Sequence, residues 1–160
     1  MRRPPHGVFW ASGLVALVLQ LMALPDAVAA ARPLWLPVVI AYWALTEPRV
    51  PALLGALLFG LCSDILFDNA LGQHAAALVV VAYLVTRLRG IFVLFPLWQA
   101  TFALAPVWAL YAFLMFWMDG VTRHQADPWL RWLPVLATSL LWPLAFTVLD
   151  RLARRRRQED

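Results

Sequence analysis

The stretch VPALLGALLFGLCSDILF, Val50 to Phe67, holds a single charged residue, Asp64. As an α-helix it would be about 27 Å long, close to the ~30 Å hydrocarbon thickness of a bilayer. Within it Ala52, Ala56 and Gly60 recur every four residues, and Asp64 and Asp68 continue the series. Spacing of four keeps side chains on one helix face. Small residues on such a face let a second helix approach closely. Ala52, Ala56 and Gly60 are therefore the helix-packing candidates. The acidic end of the same face is expected to point into a bundle rather than into lipid.

The whole chain has the same character. Of its 160 residues 63% are hydrophobic and only 14% are charged, with a mean hydropathy of +0.73. Soluble domains run about 45–50% apolar and about 25% charged. A water-soluble globule of this size could not hide so much apolar surface, and such a composition is equally foreign to intrinsic disorder. The class that remains is an all-α integral membrane protein. Six spans of roughly 20 residues would use about 120 residues and leave no room for a soluble domain.

Apolar runs divided by charges place these spans at about Val8–Leu24, Pro33–Thr46, Val50–Phe67, Gln73–Thr86, Phe95–Met118 and Trp129–Leu149. Together they form one transmembrane domain over residues 1–160, with a basic tail over 150–160. A polar loop is expected over Asp119–Asp127. The second and fourth spans are short, about 21 Å each as helix. They must extend into their flanks or thin the bilayer, and the fourth has Arg87 and Arg89, able to snorkel, beyond it.

All 13 basic residues are arginine. With the N-terminus in the cytoplasm, one side holds ten of them: Arg2, Arg3, Arg49, Arg87, Arg89, Arg151 and Arg154–Arg157. The other holds three, Arg32, Arg123 and Arg131. That bias fits the positive-inside rule, with six spans and both termini cytoplasmic. The net charge of +4 is thus a topology signal rather than a nucleic-acid footprint. Trp10, Trp35, Trp98, Trp117, Trp129 and Trp132 fall near span ends, as an aromatic belt requires. Trp43, Trp108 and Trp142 lie deeper, as packing.

The N-terminus has a rival reading. Arg2-Arg3, an apolar stretch and Ala27-Val28-Ala29 resemble a secretory signal with its cleavage site. The apolar stretch of about 17 residues exceeds the usual 7–15, so a retained span is expected.

Asp64 lies about one turn inside the outer end of its span. A carboxylate at that depth is costly unless paired or hydrated, and by default it suggests function. His74, Gln73 and Arg32 are its candidate partners, and the bland alternative is a helix-end carboxylate reaching interfacial water. A proton relay would need further ionisable groups through the membrane, and none continues below Asp64. Leu71-Gly72-Gln73-His74 follows, with Gly72 as a natural turn residue and His74 as a hydrogen-bonding group at a helix start. Asp64, Asp68, Gly72, Gln73 and His74 make up the candidate outer-side polar site. A metal centre needs several ligands, and His6 and His124 fall on opposite sides of this topology. The sequence has no serine triad pattern, metalloprotease motif, phosphate loop or dinucleotide fingerprint. Neither catalytic residues nor a cofactor are expected.

Several segments taken in order resemble a known family. They are Pro25-Asp26, Arg32-Pro33-Leu34-Trp35, Tyr42-Trp43, Gly60-Leu61-Cys62-Ser63-Asp64-Ile65-Leu66, Leu71-Gly72-Gln73-His74, Ala82-Tyr83-Leu84-Val85, Leu97-Trp98-Gln99, Phe116-Trp117 and Leu141-Trp142-Pro143. Their order and spacing are similar to the bacterial rod shape-determining MreD family, from about Pro25 to Arg157. The most specific part is the Gly60–Asp64 and Leu71–His74 pair. Where relatives often carry a His before the Arg after the second span, this chain reads Glu47-Pro48-Arg49.

The resemblance implies a multi-pass protein of the bacterial inner membrane without catalysis, needed for rod cell shape within the wall-elongation complex. It implies binding to MreC, and through it association with the elongation transpeptidase, RodA and MreB. Beyond these partners only the lipid bilayer is expected, with no nucleic acid. The implied fold is similar to the six-helix substrate-binding subunits of energy-coupling-factor vitamin transporters. That similarity keeps a rival open, a small-molecule-binding subunit of a vitamin transporter, although the polar set available to recognise a vitamin is sparse.

Overall fold

The computed structural model describes residues 6–22, 25, 31–92, 94–122 and 132–159. Six helices follow one another: α1 His6–Leu21, α2 Trp35–Thr46, α3 Ala52–Leu66, α4 Gln73–Phe92, α5 Leu97–Thr122 and α6 Leu133–Glu159. The described residues contain no strand. Helices α4, α5 and α6 are long and apolar enough to cross a membrane, while α1, α2 and α3 are shorter apolar helices.

Helix α2 is the centre of the bundle. Ten consecutive residues, Leu36 to Leu45, are buried on every side. A helix that is apolar all round belongs in a protein core or in a membrane, and here neighbouring helices cover it. It touches α1, α3, α4 and α6. The most extensive contact in the molecule is between α3 and α4, followed by α2 with α4. Helices α5 and α6 pack on one another, and α5 also packs on α4. The three deeper tryptophans, Trp43, Trp108 and Trp142, are the largest fully buried side chains, with Trp108 and Trp142 rings 5.6 Å apart.

Aromatic rings fill the space over small residues between α1 and α3. The Phe59 ring lies over Gly13, and the Phe9 ring lies over Gly55. A Cβ at either glycine would fall 2.2 Å from a ring carbon. Each helix thus supplies one ring and one gap, so the two surfaces interlock.

Proline sets the helix entries. Pro51 immediately precedes α3, where its missing N–H costs nothing. Pro37 and Pro134 sit in the first turns of α2 and α6, where proline is tolerated. Pro106 and Pro143 lie inside α5 and α6, and each removes one hydrogen bond from its helix.

Several helices run past the charges that bound the expected spans. Helix α4 continues beyond Thr86, through Arg87 and Arg89, to Phe92. Helix α5 runs through Asp119 to Thr122, the first part of the expected loop, and the rest of that loop lies outside the described residues. Helix α6 starts at Leu133 and carries the expected basic tail as helix to Glu159. Arginine is a good helix former, and the (i, i+4) pair Asp150–Arg154, at 2.7 Å, supports this last stretch. Ala27-Val28-Ala29 and Trp129 lie outside the described residues.

Candidate functional site: a buried carboxylate at the α3–α4 junction

The α3–α4 connection is short and tightly specified. Helix α3 ends at Phe67, whose N–H donates to the Ser63 carbonyl. Asp68 follows with φ 53°, the left-handed conformation that ends many helices and that Asp tolerates. The Asn69 N–H donates back to the Asp64 carbonyl at 3.0 Å. Gly72 has φ 98°, a conformation that glycine adopts without steric cost. Its carbonyl accepts from the Ala76 N–H at 2.8 Å, opening α4.

Asp64 reaches from the last turn of α3 to the first turn of α4 and is 1% exposed. Its Oδ2 accepts from the Gly72 N–H at 2.8 Å and the Ala75 N–H at 3.4 Å. Its Oδ1 accepts from the His74 N–H at 2.7 Å and lies 2.9 Å from His74 Nδ1. A carboxylate already accepting from backbone amides takes a further donor, which assigns the ring proton to Nδ1. The first N–H groups of any helix lack partners within it, and the dipole there favours negative charge. The Asp64 carboxylate is therefore an N-terminal cap supplied by the preceding helix. In a membrane interior, where no water satisfies such groups, the need is greater than in a soluble protein.

His74 is buried as well, and its ring stacks on Phe67 at 5.7 Å. Gln73 turns the other way and donates through Nε2 to Asp119 on α5. The start of α4 is thus tied to the ends of α3 and α5. Ser63, fully buried one residue before the carboxylate, donates to its own helix at the Phe59 carbonyl.

Ala52, Ala56 and Gly60 are all buried. A Cβ on Gly60 would stand 2.3 Å from the Ala75 Cα and 2.6 Å from its nitrogen. The first turn of α4 therefore lies directly against the α3 backbone, which brings its N–H groups within reach of Asp64. The other candidates have different places. Asp68 is exposed at the turn, His74 and Asp64 come together with the Gly72 amide, and the Gln73 side chain goes to Asp119 instead.

Of the three candidate partners for Asp64, only His74 and the backbone contact it. Arg32 instead donates to the Gln20 carbonyl at 2.6 Å and the Met22 carbonyl at 2.8 Å. It closes the end of α1, where positive charge suits the helix dipole. Thr138 on α6 does the same for α2, accepting from the Leu34 N–H at 2.9 Å. Neither role is readable from the sequence, because Thr138 lies 104 residues from Leu34 and the Arg32 guanidinium bonds backbone carbonyls, which carry no sequence mark. All three caps lie at the same end of the bundle, where α1 and α3 finish and α2, α4 and α6 begin.

The described residues contain no group of three or more His, Cys, Asp or Glu side chains able to hold a metal ion. The Asp64 oxygens are occupied by four donors, so the chemistry evident here is the joining of two helices.

The family described as rod shape-determining protein MreD matches residues 1–152. The chain is 26% identical over 142 residues to rod shape-determining protein MreD of Haemophilus influenzae, covering 89% of this chain and 88% of that protein. No solved structure matches. The chain belongs to the MreD family of rod shape-determining membrane proteins.

Proposed function

We propose that this chain is a non-catalytic scaffold of the wall-elongation complex in the bacterial inner membrane, acting by helix packing against the membrane segment of MreC. Its six helices all cross the bilayer, with both termini cytoplasmic. The transpeptidase, RodA and MreB are reached through MreC. The observation that carries this reading is the condition of the one deeply buried carboxylate among the described residues. Asp64 is saturated by Gly72, His74 and Ala75, which favours a rigid junction over a proton relay or a transport site.

The partner surface proposed here is the outward face of α3. Leu53, Leu54, Leu57 and Leu58 are exposed on it, opposite the buried Ala52, Ala56 and Gly60. Cys62, the chain's single cysteine, is exposed on the same helix and offers a native handle. Crosslinking from Cys62 and from cysteines placed at Leu54 and Leu58, in native membranes, should capture MreC. Depletion should round the cells. Rods that persist after depletion would overturn the functional reading, and capture of lipid alone would overturn the assignment of this face.

The vitamin-transporter reading has less support. The open cavity between α1 and α6 offers Ser12 as its one hydroxyl, whereas a vitamin site needs several convergent polar groups.

A further inference from the structure

Helices α1 and α6 both pack on α2 and scarcely touch each other. Between them lies a groove of about 560 Å³. Gly7, Ala11 and Ala16 of α1 and Ala145 of α6 leave it open, while Val38 and Val39 of α2 form its floor. Ser12 offers it no free polarity, because its hydroxyl donates to the Phe9 carbonyl and accepts from Trp43 Nε1, both at 2.9 Å. The rims, Val15 on α1 and Leu144, Val148 and Leu152 on α6, are exposed and apolar. The groove therefore opens sideways, toward the hydrocarbon that surrounds a membrane bundle.

Two observations select the occupant. The first is length. From Gly7 to Leu19 the α1 wall runs about 18 Å, against roughly 15 Å for one leaflet of a ~30 Å core. A lipid chain matches that reach. The second is charge. The groove ends beside Leu152, and the same turns of α6 carry Arg151 and Arg154, both exposed. Asp150 pairs with Arg154, which leaves a surplus of positive charge, and the sequence continues with Arg155–Arg157.

We propose that this groove seats one acyl chain of an anionic phospholipid, with Arg151 and Arg154 holding its headgroup phosphate where α1 begins and α6 ends. The proposal requires the bundle to be membrane-embedded but does not require MreC to be the partner. Arginines beside a membrane surface add attraction for anionic over neutral headgroups, and small residues leave room for a chain where larger ones would close it.

The test uses the full chain, delipidated in detergent, with phosphatidylglycerol and phosphatidylcholine of equal chain length as probes, read by native mass spectrometry. One phosphatidylglycerol per chain should be retained, about tenfold more tightly than phosphatidylcholine. Ala145→Phe should abolish retention by filling the groove, and Ala11→Leu should weaken it should the larger change impair folding. Arg151→Gln with Arg154→Gln should remove the headgroup preference and leave chain binding. Equal retention of both lipids by the unaltered chain, or retention unaffected by both groove-filling changes, would overturn the proposal. So would a photocrosslinker at Val148 that captures a protein helix in native membranes.

Discussion

Helices α3 and α4 meet backbone to backbone, with Ala75 against Gly60 and the Asp64 carboxylate over the first turn of α4. Helices α1 and α6 instead lie side by side on α2 and leave a groove of about 560 Å³. Both flanks are rich in small residues, so small residues alone do not close a helix pair. In lipid, apolar side chains gain little by leaving one another's company for hydrocarbon, or the reverse. Among the described residues, what α3 and α4 have and α1 and α6 lack is a set of directed polar bonds that fixes one register. The first pair is held by specific contacts, and the second is merely permitted to be near.

Breaking the tight side should have the largest effect. Asp64→Ala leaves the Gly72 and His74 N–H groups without acceptors, and at 1–3 kcal/mol for each orphaned donor the expected loss is about 3–5 kcal/mol. Asp64→Asn keeps the shape and one acceptor oxygen and should lose about half as much. Unfolding of the purified chain in detergent, followed by helical circular dichroism, checks both. Gly60→Ala drives a Cβ into the α4 backbone and should cost about 1–3 kcal/mol by the same assay. Thr138→Val removes the acceptor for the Leu34 N–H while preserving volume, and a loss of about 1 kcal/mol is expected.

On the open side, a larger residue should be tolerated. Ala145→Phe enters unfilled space and should shift stability by no more than about 0.5 kcal/mol. A large loss there would mean that the groove is a packed surface and would erase the contrast between the two flanks.

Much of the tight side is legible in the amino-acid sequence. The four-residue spacing of Ala52, Ala56, Gly60 and Asp64 marks one face of one helix, and Gly72 reads as a turn. The role of Asp64 does not show there. A carboxylate capping its own helix lies a few residues before that helix's start, but this one caps the next helix from eight residues upstream of Gly72. Only the hairpin geometry brings them together. Arg32 is a plausible partner for Asp64 by charge, yet it closes the end of α1, because a guanidinium satisfies carbonyls as readily as carboxylates. The groove is invisible for a different reason: the sequence shows apolar helices but not which pairs of them fail to meet. Helices run on past Arg87 and Arg151, since long charged side chains reach water without ending a helix, and past Asp119, whose carboxylate accepts from Gln73.

The central claim is that Asp64 holds the first turn of α4. Amide hydrogen exchange at Gly72 and His74, in the unaltered chain and in Asp64→Ala, addresses it residue by residue. Both amides should be protected in the unaltered chain and exchange about a hundredfold faster in the variant, the equivalent of roughly 2.7 kcal/mol of local opening, while Val81 deeper in α4 stays protected. Unchanged exchange at Gly72 and His74 in Asp64→Ala would contradict the claim.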